Sequence, residues 1–259
     1  MQFKLSVVAA LAAAASAAVT PARLGCGTHD PTPEHIEISK KLAEEEAANN
    51  GTMSLMAAAT INVNVYFHVV ASSQTVANGY ITDKMLADQL AVMNSDFAPH
   101  GISYTLVETT RTINANWAQD GDEMAMKRAL RKGTYKDLNL YFVRTLGGDF
   151  GYCYFPTTAA AGSTAYIRDG CTILSSTVPG GSETNYNLGK TVTHEVGHWF
   201  GLYHTFQGGC TGEGDSIADT PAQASFSTGC PTGRDSCPSQ EFTPNQQTRM
   251  YSFWNQYRA

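Results

Sequence analysis

His194-Glu195-Val196-Gly197-His198-Trp199-Phe200-Gly201-Leu202-Tyr203-His204 reads H-E-x-x-H-x-x-G-x-x-H. Histidines four residues apart lie one turn apart on the same face of a helix. The imidazoles of His194 and His198 can therefore reach a single zinc ion at about 2.0–2.1 Å. Gly201 can take the left-handed conformation that ends a helix. The chain then turns back, and His204 arrives as a third ligand. Three protein ligands leave the fourth tetrahedral position to water, which marks a catalytic rather than a structural zinc. Glu195 stands beside that position and can take the water's proton. Five specified residues at these spacings arise by chance in about one chain of this length in 10,000. That outweighs the ordinary reading of a buried histidine as a satisfied core residue. His29, His35, His68 and His100 have no such partners, and for them the ordinary reading stands.

The chain has 259 residues, 42% apolar and 15% charged, with a formal net charge of −6. It is long enough for one cored domain plus an extension. No basic stripe exists, so a nucleic-acid partner is not expected. Residues 1–18 read as a secretory signal: Lys4 gives one positive charge, Leu5 to Ala15 an apolar run, and Ala15-Ser16-Ala17 a small-residue cleavage site. The run is too short to span a bilayer, and a secreted, extracellular protein without a membrane partner is expected. In that compartment the cysteines read as disulfides before thiols. They are Cys26, Cys153, Cys171, Cys210, Cys230 and Cys237. Asn50-Gly51-Thr52 is a glycosylation sequon in a polar stretch, which makes Asn50 a candidate acceptor.

Outward from the motif the elements follow from periodicity and punctuation. Pro33 opens a helix that Asn49-Asn50-Gly51 ends. Residues 19–57 thus read as an N-terminal arm or pro-like region before a catalytic domain over 58–259. Ile61 to Val70 alternates as a strand. Thr82 caps a helix to about Phe97. Ile102 to Thr109 and Leu138 to Thr145 are strands, with a short helix from Asp122 to Lys132 between them. Tyr166-Ile167 and Thr172 to Leu174 are short edge-strand candidates, and Cys153 and Cys171 flank them as a candidate disulfide pair. Asn187 can cap the motif helix, about Leu188 to Gly201. Cys210 to Glu241 is irregular, and Thr243-Pro244 starts a last helix with Met250, Phe253, Trp254 and Tyr257 inward. Asp215 and Asp219 are candidate calcium ligands in an acidic loop, where solvated carboxylates are the simpler alternative.

The extended motif resembles that of the metzincins, zinc endopeptidases with three histidines and a glutamate. His194 to Cys210 (HEVGHWFGLYHTFQGGC), Asp219-Thr220-Pro221, Gly229-Cys230-Pro231 and Phe242-Thr243-Pro244 look like the pappalysin family. Within it they resemble the secreted fungal extracellular metalloproteases. Gly151-Tyr152, Leu174-Ser175-Ser176, Pro179-Gly180-Gly181 and Tyr186-Asn187-Leu188-Gly189 extend the likeness over most of the chain. The resemblance implies an α+β fold, with a twisted mixed sheet over the active-site helix and a small loop-rich C-terminal subdomain. It implies one zinc on His194, His198 and His204, Glu195 as general base, and calcium in the acidic loop. Protein or peptide substrates follow; oligomeric state does not. It also pairs Cys210 with Cys237 and makes Cys26, in Arg23-Leu24-Gly25-Cys26-Gly27-Thr28, a cysteine-switch candidate whose thiolate caps the zinc in a latent precursor. The alternative for Cys26 is a disulfide to Cys230.

One departure stands out. The family carries a methionine turn and a following tyrosine between the cysteine matching Cys237 and the last helix. Here Pro238-Ser239-Gln240-Glu241 runs directly into Phe242-Thr243-Pro244. Met250-Tyr251 lies in the last helix and reads as packing. Three readings follow: an active zinc endopeptidase, a zinc-binding but catalytically impaired relative, and a disulfide-rich secreted interaction domain. Chelator-sensitive proteolysis abolished by Glu195→Gln separates the first from the others.

Overall fold

The structure, a computed structural model, describes residues 25–48, 60–207, 214–223 and 242–259. The expected signal (1–18), Asn50, Cys210, Cys230, Cys237 and most of the loop-rich C-terminal part lie outside the described residues. Helix α1 spans Pro33–Ala48 and is followed by strand β1, Ile61–Ala71. Then come α2 (Asp83–Phe97), β2 (Ile102–Ile113), α3 (Glu123–Leu130), β3 (Leu138–Val143) and β4 (Gly151–Cys153). The chain continues through α4 (Thr164–Arg168), β5 (Cys171–Leu174), the motif helix α5 (Lys190–Trp199) and α6 (Pro244–Tyr257).

The five strands form one mixed sheet in the order β2-β1-β3-β5-β4. The first three pairings are parallel, and β4 alone runs antiparallel at the edge beside β5. Both faces are covered. Val63, Val65, Phe67 and Val69 of β1 pack with α2 and with Val192, Val196 and Trp199 of α5. Val70, Tyr141 and Val143 face the other way, onto Ala118 and Met126. Period-two alternation of strand side chains produces this division. Burial on both faces explains why β3 reads as an unbroken apolar run. The sheet over the motif helix is the expected architecture.

Three local expectations differ from the structure. Tyr166-Ile167 belongs to helix α4, because Ser163 caps it by accepting a hydrogen bond from the Tyr166 N–H at 3.2 Å. The strand beside β5 is instead β4, a segment too short for its pattern to register. The motif helix starts later than expected, at Lys190, because Gly189 stands at its N-cap with φ +81°. Asn187 does not cap it and donates to the Gly181 carbonyl instead.

Candidate active site

Helix α5 is fixed before it presents its histidines. Asp96 of α2 accepts from Lys190 Nζ and Thr193 Oγ1, both at 2.6 Å, and so holds the first half of the helix. Residue 201 carries φ +95°, and a Cβ there would stand 2.3 Å from the Phe253 ring. Only glycine fits that turn, which returns the chain so that His204 meets the helix. The Nε2 atoms of His194, His198 and His204 lie 3.2, 3.2 and 3.3 Å from one another. A tetrahedral ion at about 2.0–2.1 Å from each nitrogen requires spacings of about 3.3–3.4 Å, so the donor set fits zinc. His198 Nδ1 lies 2.7 Å from the Leu202 carbonyl, which orients the ring. Burial lowers the proton affinity of His204 to about 3 and of His198 well below the ordinary histidine value. Both imidazoles are therefore neutral, with lone pairs free for a cation.

Cys26 is a free thiol in this site. Its Sγ is 3.5 Å from His198 Nε2, close to the spacing of about 3.5 Å for a thiolate and an imidazole on one tetrahedral zinc. The four potential ligand atoms all lie within 4.8 Å of one another. Metal-free, burial first and the Glu195 carboxyl second keep the thiol protonated; a bound cation reverses that. Glu195 is fully buried on α5, and burial pushes its carboxyl up to about 8. Oε2 accepts from Thr28 Oγ1 at 3.0 Å and from Cys26 Sγ at 3.6 Å.

The outer edge of β4 receives the Cys26 segment as an added strand. Phe150 N donates to the Gly25 carbonyl at 2.6 Å and Gly27 N to the Gly151 carbonyl at 2.7 Å. Thr28 Oγ1 also accepts from Cys153 N at 2.9 Å. A Cβ on residue 151 would stand 2.6 Å from Glu195 Cγ, so a glycine there lets the edge strand lie against the glutamate. Cys153 and Cys171, directly opposite in the antiparallel pair β4–β5, are joined by a disulfide.

Helix α1 docks behind the turn that leads to His204. His35, Ser39 and Leu42 are buried, and with Glu46 they form one helical stripe. The His35 ring meets the Tyr203 hydroxyl and stacks on Phe253. Arg249 of α6, 1% exposed, donates to both Glu46 oxygens at 3.0–3.2 Å and to Ser39 Oγ at 2.6 Å. His68 and His100 sit in the packing as expected. Met250 and Tyr251 also pack inward; the Tyr251 hydroxyl donates to the carbonyls of His100 and Gly101, so the pair is not at the histidine cluster.

In the acidic loop, Asp219 is engaged at the start of α6. It accepts from Thr243 Oγ1 at 2.7 Å and Asn245 N at 3.0 Å. Asp215 Oδ1 accepts from Thr220 Oγ1 and Ile217 N, and its buried Oδ2 has no donor. Thr28, Asp96, His35 and Arg249 were not singled out from the sequence. Their partners lie 94 to 210 residues away, and no local pattern announces such contacts.

The profile of the family described as "Pregnancy-associated plasma protein-A", peptidase family M43, matches residues 134–257. A protein named "Extracellular metalloprotease" from Colletotrichum graminicola is 73% identical over 280 aligned positions, covering 100% of both chains. The chain belongs to the M43, or pappalysin, family. It is a metalloendopeptidase, so it works with a metal on proteins or peptides. The 280 aligned positions against 259 residues leave about 21 that the relative fills and this chain does not. Mirolysin matches with a TM-score of 0.65 at 26% identity, over 78% of this chain and 94% of that one. Tannerella forsythia promirolysin matches with the same TM-score at 24% identity, over 89% and 93%.

Proposed function

We propose that this M43 metalloendopeptidase is a secreted zinc enzyme with His194, His198 and His204 as ligands, held latent by Cys26. The observation carrying the reading is the triangle of imidazole nitrogens at tetrahedral spacing, with Glu195 buried beside it and the Cys26 sulfur over it. Bound there, zinc would act as a Lewis acid on water and on the scissile carbonyl. Glu195 Oε2 takes a proton from the attacking water and later returns it to the leaving nitrogen. The edge of β4 offers a substrate backbone the groups that residues 25–27 now use. Thr28 and Cys26 occupy Glu195, so base and ligand position are blocked together.

On this reading residues 1–18 are the signal, 19–57 the pro-like region and 58–259 the catalytic domain. The relative's name supports secretion, and the longer match to promirolysin supports a pro-like region with its own structure. We keep Asn50 as a glycan site and Cys210–Cys237 as a second disulfide. Calcium is the weaker assignment: Asp215 Oδ2 is the one oxygen of the Asp215–Asp219 pair without a hydrogen bond, against the six or more that calcium needs.

Matured, zinc-loaded protein should digest a denatured protein; a chelator and Glu195→Gln should each abolish this, the mutant keeping its zinc. Equal turnover by Glu195→Gln would refute the base. The second reading, a zinc-binding but impaired relative, is favoured by the positions missing relative to the Colletotrichum protein and by Met250-Tyr251 lying away from the cluster. Full zinc loading and an accessible cleft without turnover would establish it.

A further inference from the structure

The last turn of the metal helix has an accountable set of carbonyls. Val196, Gly197 and His198 give theirs to the N–H groups of Phe200, Leu202 and Gly201 at 3.0, 3.0 and 2.8 Å. The Trp199 carbonyl is taken by a side chain instead, Nη2 of Arg258, the residue that caps the C-terminus of α6, at 3.3 Å. The same guanidinium lies 3.7 Å over the Trp199 ring and 4.4 Å over Tyr135, and donates to the Tyr135 carbonyl at 2.7 Å. Asp169, 1% exposed, holds it from below at 2.9 Å and also accepts from Trp199 Nε1 at 3.3 Å. Ring, carbonyl and cation are thus tied at the residue after ligand His198.

Stability alone accounts poorly for this arrangement. A buried ion pair roughly breaks even against apolar packing, and Arg258 Nε has no hydrogen-bond partner. What the pair supplies is direction. The turn that starts at Trp199 carries Leu202, whose carbonyl orients the His198 ring, and then His204.

We infer that Arg258, acting with Asp169 through Trp199, is a positioning residue that sets the geometry of the His198–His204 ligand turn from beneath. The inference rests on the zinc reading above. Arg131 provides the control: it also pairs with Asp169, at 3.5 Å, but its other contacts include Tyr166, Thr134, Tyr141 and the Asp169 carbonyl, none of them on the metal helix.

The test is zinc release from the full-length chain to a chelating dye, together with the visible spectrum of the cobalt-loaded protein, on samples that circular dichroism shows folded. Arg258→Gln is expected to release zinc at least tenfold faster and to alter the cobalt bands. Arg258→Lys, which keeps the charge and fold but not the planar fork, should fall between. Arg131→Gln should stay within about twofold of wild type. If Arg258→Gln does not fold, the Lys variant against Arg131→Gln decides. Wild-type release and bands from the folded Arg258 variants, or equal acceleration by Arg131→Gln, would overturn the inference. Wild-type protein that takes up no zinc would instead overturn the zinc reading itself.

Discussion

Two influences pull the proton affinity of Glu195 in opposite directions. The base role proposed above needs an ionised oxygen, yet burial drives the metal-free carboxyl up to about 8, against hydrogen bonds from Thr28 and Cys26 that favour the charge. The folded metal-free chain therefore keeps a proton that the unfolded chain loses near its ordinary value. Stability tied to that proton is full below about pH 4.5 and fades as pH rises toward 8. His198 and His204 act the other way, but only below about pH 6.5, where the unfolded chain protonates them. Between pH 6.5 and 8 Glu195 is left as the dominant group of the site. Chelator-treated protein should lose about 1–2 kcal/mol over that interval in urea unfolding, and Glu195→Gln should flatten the slope. At this scale the convergence of His194, His198 and His204 was legible, because four-residue and six-residue spacings are local geometry. Thr28 was not, because its importance comes from meeting Glu195, 167 residues away.

At the scale of elements, α1 and α6 form the interface that holds the Cys26 segment near the cleft. Removing the Glu46 carboxylate leaves the Arg249 guanidinium buried with Ser39 and the Ser216 carbonyl as acceptors. Glu46→Ala should cost about 3–5 kcal/mol of α1 docking and speed alkylation of the Cys26 thiol. Unchanged labelling would show that α1 does not help to hold the segment. The turn from Gly201 to His204 can be tested in the same way. Gly201→Ala forces a Cβ onto Phe253 at a left-handed backbone and should lower the unfolding free energy by about 2–4 kcal/mol, with zinc loading reduced. Long elements were readable: α2, β1 and β3 fell within a few residues of their expected limits. The short ones were not. β4 has three residues and α4 five, and their identities follow from the β5 ladder and the Ser163 cap.

For the whole molecule, the sheet exposes one short antiparallel edge to the cleft, and the chain lays residues from its own N-terminal region along it. That region also supplies α1, which locks onto the back of the same site. On the function proposed above, this architecture is a peptidase closed by its own chain, with metal site, base and backbone groove blocked at once. Composition and the motif pointed to the enzyme class. They could not choose between Cys26 as a metal cap and Cys26 as a disulfide partner, since an even cysteine count permits both. The three-dimensional path of residues 25–28 brings Cys26, as a free thiol, to the imidazoles, which supports the metal cap proposed above. Zinc K-edge X-ray absorption on the zinc-loaded full-length chain tests this most directly. The account predicts three imidazole nitrogens and one sulfur around the ion, with the sulfur lost and the nitrogens kept in Cys26→Ser. Failure to retain zinc after replenishment, or a shell without imidazoles, would contradict it.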